Sequence, residues 1–294
     1  MSRLCIDNRI GGRTRYYFGD GKPLMLIPDE VKKCVLFIGI GHPDDNIHFG
    51  ATAFLVMVPN EYVNFCYLVT AKHSIQSIRN TIEKEPGKKM YLRANLASGS
   101  AAIVEMEPSR WSFHPDDTVD VAIMPFGQAS QFDHAAISIE TFLSEEVSRT
   151  EQIGIGDELF LVGLFQVFRK AKRNIPIVRV GNIAAMPEES IPTQLGDIEA
   201  YLIECRSLKG LSGSPAFVMV GPHRRDGSST GRIGRHWLMG LTHGHFDEAG
   251  SVNMGIAVVV PAKKILEAIS QPQFVASREA AIRKARDAEA ATPD

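Results

Sequence analysis

The chain has 294 residues, 44% hydrophobic and 22% charged, with a formal net charge of −2 at pH 7. That is ordinary for a globular protein large enough for one big domain or two small ones. The near-neutral balance excludes the global charge signature of a nucleic-acid or membrane-surface binder, and no apolar run is long enough to span a bilayer.

The first nine residues lack the apolar core of a secretory signal. Cys5, Cys34, Cys66 and Cys205 are scattered, with no Cys-x-x-Cys spacing. This favours reduced thiols over a disulfide frame or zinc site, and a cytoplasmic location is expected.

Residues 1–30 have no clear period and read as an N-terminal extension, or a short hairpin packed on the main body. A strand over 31–39 begins the core, and a polar turn over 42–46 follows. The next strand, 49–58, is stopped by Pro59-Asn60, and its glycine and small residues suggest a bend or bulge of the kind barrels need. A strand over 62–70 ends in Ala71-Lys72-His73-Ser74, with a short helix expected over 75–82. Strands are expected at 90–96 and 101–106, and at 120–126 with Asp120 at its start.

Residues 128–153 are polar and mixed and read as an interdomain crossing, with a helix near 139–147. Six more strands follow, at 158–164, 175–186, 200–205, 216–220, 237–245 and 253–260, with a mobile hairpin tip over 221–235. After Pro261, residues 262–269 have helical spacing, and 276–290 form a charged, Ala-rich tail. The expected fold is all-β. It consists of two antiparallel six-stranded β-barrels, 31–127 and 154–260, with a C-terminal helix and charged tail over 261–294.

The most informative stretch is Lys209-Gly210-Leu211-Ser212-Gly213-Ser214-Pro215-Ala216. A serine between glycines can present its hydroxyl beside main-chain N–H groups, as a nucleophile and its oxyanion hole require. Alone the octamer is weak, because Gly/Ser-rich turns are common. A base and a carboxylate stand elsewhere in matching contexts: Thr70-Ala71-Lys72-His73 at a strand end and Asp120-Val121-Ala122 at a strand start.

These three motifs resemble those of the trypsin-like (chymotrypsin-fold) serine proteases: Thr-Ala-x-His, Asp-x-Ala, and Gly-Asp-Ser-Gly-Gly-Pro with two changes. The order His, Asp, Ser is the family's. Residues 50–54, Gly-Ala-Thr-Ala-Phe, resemble a Gly-Thr-Gly-Phe strand of bacterial relatives. Residues 254–261 resemble the last strand and helix start of the HtrA-like branch, here expected without a PDZ domain. The resemblance covers roughly residues 31–270. It implies a serine endopeptidase acting on protein or peptide, with Ser212 as nucleophile, His73 as general base and Asp120 orienting His73. It also implies an oxyanion hole from the N–H groups of Gly210 and Ser212.

By family position Thr242 supplies a hydroxyl that contacts the buried aspartate and lines the cleft. The resemblance puts Arg206 and Ser207 at the base of the substrate pocket and Thr242, His243 and Gly244 in its wall. An inward Arg206 would disfavour basic side chains; an outward one would leave a small polar pocket. No cofactor or metal is expected, nor a nucleic-acid or membrane partner, and any regulatory protein partner is unspecified.

Two departures carry meaning. Leu211 replaces the aspartate that pairs with a freed N-terminus in zymogen-activated members, so no such activation is expected. Ser214 replaces a glycine without removing the nucleophile.

Competing readings are a catalytically silent, peptide-binding scaffold and an α/β-hydrolase, whose Ser–acid–His order Asp226 with His245 would satisfy. Ser214 breaks the hydrolase elbow, and no helices alternate with the strands. Asp116 and Asp117 are rival carboxylates, but neither precedes a clean strand. His243 and His245 alternate on one strand face, with no third metal ligand at recognisable spacing. Residues 169–173, Arg-Lys-Ala-Lys-Arg, fit a solvated loop better than a nucleic-acid patch.

Overall fold

The computed structural model of the protein describes residues 5–6, 16–17, 27–43, 47–127, 129–165, 171–193, 196–205, 210–220, 235–245 and 255–290. Strands β1 (Cys5–Ile6) and β2 (Tyr16–Tyr17) pair antiparallel. After α1 (Asp29–Lys33), the first half of the chain forms β3 (Val35–Gly41), β4 (His48–Val58) and β5 (Phe65–Thr70). Then come α2 (Lys72–Lys84), β6 (Lys89–Asn95), β7 (Ala101–Met106), β8 (Ser112–Phe113), β9 (Ala122–Pro125) and β10 (Ile137–Ser138). These strands make one sheet, ordered β7-β6-β3-β4-β5-β9-β8, with β10 added parallel to β4.

The expected first barrel is therefore corrected to an open sheet. Its edge strand β8 has only two residues, too few for a ladder back to β7 at the other edge. The bulge expected from the glycine in the second core strand is present. Ile38 pairs with Ala51 and Gly39 with Phe49, which leaves Gly50 as the extra residue.

The second half begins at α3 (Glu145–Thr150) and continues through β11 (Glu158–Gly163), β12 (Ile177–Ala185), β13 (Ser190–Thr193), β14 (Gly196–Glu199) and β15 (Tyr201–Glu204). It ends with β16 (Pro215–Val220), β17 (Arg235–His245), β18 (Ile256–Pro261), α4 (Ala262–Ile269) and α5 (Pro272–Ala290). Here a six-stranded antiparallel barrel does close, in the order β11-β12-β15-β18-β17-β16. The β13–β14 hairpin stands apart from it and has no counterpart in the sequence expectation. Neither assembly has the parallel βαβ sheet of an α/β-hydrolase. The helix expected near 139–147 is instead a 3₁₀ turn at Ile139–Thr141 followed by α3. The Ser144 hydroxyl accepts from the Val147 N–H and so sets the later start.

The central strands β3, β4 and β5 read as continuous apolar runs because both faces are covered. Alternation sends Leu36, Ile38, Ala53, Leu55, Leu68 and Met124 to the sheet's own interior, against Ile75, Met90 and Trp111. The intervening Phe37, Phe54, Val56, Val69 and Ile123 meet Phe160, Val162, Phe217, Leu241 and Ile265 of the second half. This shared core is the floor under the site. A separate cluster of Leu159, Leu161, Ile203, Val218, Met239 and Val259 fills the closed barrel. The charged tail is helical, as α5, and of that helix only Phe274 is buried. No helix among the described residues is long and apolar enough to cross a membrane.

Candidate active site

Helix α2 starts earlier than its apolar pattern suggests, so His73 lies in its first turn rather than at a strand end. The residue before the helix, Ala71, offers no side-chain cap, and the free N–H of His73 needs a partner. That partner is Asp120: its Oδ1 accepts the His73 N–H at 2.8 Å. A carboxylate at a helix N-terminus also faces the positive end of the helix dipole. The same side chain, through Oδ2, accepts from His73 Nδ1 at 2.7 Å. One residue thus holds both the backbone and the ring of His73, and Nε2 is the ring nitrogen left to exchange a proton.

Asp120 is fully buried. Burial acts to raise its pKa, but hydrogen bonds from His243 and His73 outweigh it, and the carboxyl is held below its ordinary range. The rival acids point elsewhere. Asp116 accepts from the N–H and hydroxyl of Thr118, and the fully exposed Asp117 pairs with Lys72.

The second imidazole on Asp120 is a finding the sequence pattern did not provide. His243 Nδ1 donates to Oδ2 at 2.5 Å. Its place follows from a β-bulge: Thr242 pairs with Val259 and Gly244 with Val258, leaving His243 as the extra residue, turned toward Asp120. The expected role of Thr242 is corrected accordingly. Thr242 is fully buried, and its hydroxyl donates to the Ser214 carbonyl at 3.2 Å, while the bond to the carboxylate is made by His243. Strict alternation would have kept residues 242 and 244 on one face, and the bulge breaks it. Gly244 is half-buried with open space where a Cβ would stand. Arg206 and Ser207, expected at the pocket base, lie outside the described residues. Beside His73, the exposed side of α2 lines a depression of about 400 Å³ with Gln76, Ser77, Asn80, Thr81 and Lys84.

Ser212 is half-buried on a loop that only glycine allows. Gly210 and Gly213 have φ of 102° and 79°. A Cβ on Gly213 would lie 2.3 Å from both the Thr52 carbonyl oxygen and Thr70 Oγ1, so the loop presses on the strand that leads to His73. The loop is pinned from several directions. Gly213 N–H donates to Thr242 O at 2.8 Å, Ser214 N–H to Leu211 O at 2.9 Å, and Thr52 N–H to Ser212 O at 3.0 Å. Among the described residues, the N–H groups of Gly210 and Ser212 donate to nothing. Leu211, in place of the family's aspartate, is fully buried and packs near Gly163, so apolar contact stands where an ion pair would be.

Thr52 is the other residue that sequence reasoning passed over, although the Gly-Ala-Thr-Ala-Phe strand flagged its neighbourhood. It is fully buried; its hydroxyl donates to Gly210 O and accepts from the Leu164 N–H, while its carbonyl accepts from the Thr70 hydroxyl. His73, Asp120 and His243 form the one group among the described residues able to hold a metal ion, with ligand atoms all within 4.8 Å of one another.

No family model matches the chain, and no curated protein sequence matches it. Among solved structures, it is similar to the MamO protease domain from Magnetospirillum magneticum (apo form). That match has a TM-score of 0.52 and 14% sequence identity, and covers 82% of this chain and 98% of that one. Deg5 also matches, at a TM-score of 0.46 and 15% identity, over 81% of this chain and 88% of that one. At this identity the likeness to the MamO domain establishes the fold alone, a trypsin-like protease fold.

Proposed function

We propose that the protein is a serine endopeptidase that hydrolyses peptide bonds through an acyl-enzyme, with His73, Asp120 and Ser212 as its triad. The observation that carries this reading is the double hold of buried Asp120 on His73, at the main-chain N–H and at Nδ1. That hold fixes the tautomer in which Nε2 is a base. It adjoins a glycine-flanked Ser212 loop pressed on the strand leading to His73.

In the reaction, Ser212 Oγ attacks the scissile carbonyl and His73 Nε2 takes its proton. Asp120 keeps Nδ1 protonated and stabilises the imidazolium that forms. The oxyanion is received by the N–H groups of Gly210 and Ser212, each donor worth about 3–4 kcal/mol of barrier in comparable sites. His73 then protonates the leaving amine, and water hydrolyses the acyl-enzyme with His73 again as base. The substrate is protein or peptide, and the chemistry needs no cofactor.

The opposing reading is a peptide-binding scaffold that keeps these residues for architecture. A fluorophosphonate probe separates the two. Covalent labelling of the wild type, lost in a folded Ser212→Ala variant together with at least about a thousandfold of peptide hydrolysis, is expected. A folded wild type that the probe leaves unmodified would favour the scaffold.

A further inference from the structure

We propose that His73, Asp120 and His243 form a binding site for a first-row divalent cation, with Zn²⁺ the best fit, and that the bound ion silences His73 as a base. Two imidazole nitrogens and one carboxylate are the donor set of a three-ligand zinc site with an open fourth position. All three ligand atoms already converge. His73 Nδ1 and His243 Nδ1 lie 2.7 and 2.5 Å from the same Oδ2, and the two rings meet edge to face with centroids 5.2 Å apart.

A cation with ligand bonds of about 2.0–2.2 Å needs those N···O separations opened to about 3.3 Å, by about 0.6 Å for His73 and about 0.8 Å for His243. The histidines can supply it, because their side chains are 34% and 18% exposed, and that exposure is also the ion's way in. Asp120 stays in place through its other oxygen, which keeps the His73 N–H. The sequence offered only His243 with His245. The ligands that complete the set come from the first turn of α2 and from the residues just ahead of β9, in the other half of the chain.

The consequence for catalysis follows from tautomer chemistry and rests on the peptidase reading; the binding itself does not. A neutral imidazole that gives its Nδ1 lone pair to a metal must carry its proton on Nε2. Both rings can move that proton from Nδ1 to Nε2, so no net proton has to leave. With Nε2 protonated, His73 cannot accept the proton of Ser212. The ion would therefore act as a reversible off-switch, released by a chelator.

The test is Zn²⁺ titration of the chelator-stripped chain by calorimetry, with folding checked by circular dichroism. Wild type and Ser212→Ala are expected to bind one Zn²⁺ with equal affinity. Loss of a group that merely supports a ligand costs about 10–100-fold in metal affinity, so removing a ligand in His243→Ala or His243→Gln should cost at least tenfold. Zinc-edge X-ray absorption of the loaded wild type, which needs no variant, should show two imidazoles in the first shell. Fluorophosphonate labelling should fall with the same midpoint and return with chelator.

Absence of stoichiometric binding, a first shell without two imidazoles, or unchanged affinity in folded His243 variants would overturn the site. Full labelling at saturating Zn²⁺ would overturn the off-switch. Zinc binding by a chain that the probe never labels would leave the site standing and sink the peptidase reading instead.

Discussion

The hydroxyl of Thr52, on β4, donates to the carbonyl of Gly210, in the loop that carries Ser212, at 2.7 Å. The same oxygen accepts the Leu164 N–H at 3.0 Å, and the residue's own carbonyl accepts from the hydroxyl of Thr70. A single buried residue, through its hydroxyl and its carbonyl, thus joins the strand ahead of His73, the start of the segment after β11, and the Ser212 loop. The proposed nucleophile and base come from opposite halves of the chain, and small misplacements at such a junction are costly in rate. Thr52 is therefore a positioning residue for the proposed site.

Replacing Thr52 by valine preserves its shape and removes the hydroxyl. The Gly210 carbonyl and the Leu164 N–H are then left buried without this partner, at about 1–3 kcal/mol for each unpaired group. We expect a lower unfolding temperature and slower fluorophosphonate labelling, with Thr52→Ser recovering most of both. Thermal melts and labelling rates for the two variants check this. A Thr52→Val protein that melts and labels like the wild type would show that the hydroxyl bridge does not position the loop.

The hydroxyl of Ser214 presents the opposite case. It is fully buried and has no hydrogen-bond partner among the described residues, and it crowds Gly163, where an added Cβ would fall 2.0 Å from it. The residue's contribution to the loop comes from its main chain, through Leu211 and Thr242. Ser214→Ala should therefore leave labelling intact and keep or raise stability, by up to about 1–3 kcal/mol. Chemical denaturation measures it, and a clear loss of stability would mean that the hydroxyl has a structural partner.

Acid sensitivity is expected to come in part from His236. This half-buried residue of β17 packs its ring against Phe217 and the stacked Phe160, and burial lowers its pKa below the ordinary value of 6.5. A depressed folded-state pKa means that the unfolded chain takes up the proton more readily. The stabilisation is therefore complete above pH 6.5 and is lost as the pH falls from there through the folded-state value. His236→Gln should flatten the fall in unfolding temperature between about pH 7 and pH 5. An unchanged slope in the variant would assign the acid sensitivity to other groups.

By itself, the sequence determined what is encoded in short spans. Apolar, β-prone runs bounded by turn residues marked most of the strands within a few residues, because both signals are local to the strand and its ends. The helix after Pro261 and the glycine-flanked Ser212 turn were legible for the same reason, as was the bulge near Gly50. The residue types at 73, 120 and 212, in their local contexts, were enough to suggest which side chains should meet. Only the tertiary structure decided what depends on pairing between distant segments. The two-residue β8 leaves the first sheet open while the second closes, and strand-by-strand patterning cannot report on closure. The start of α2 was missed because its cap is Asp120, far away in sequence. His243 reaches Asp120, and Thr242 does not, because a register shift between β17 and β18 inserts one residue; such a shift exists only once both strands are paired.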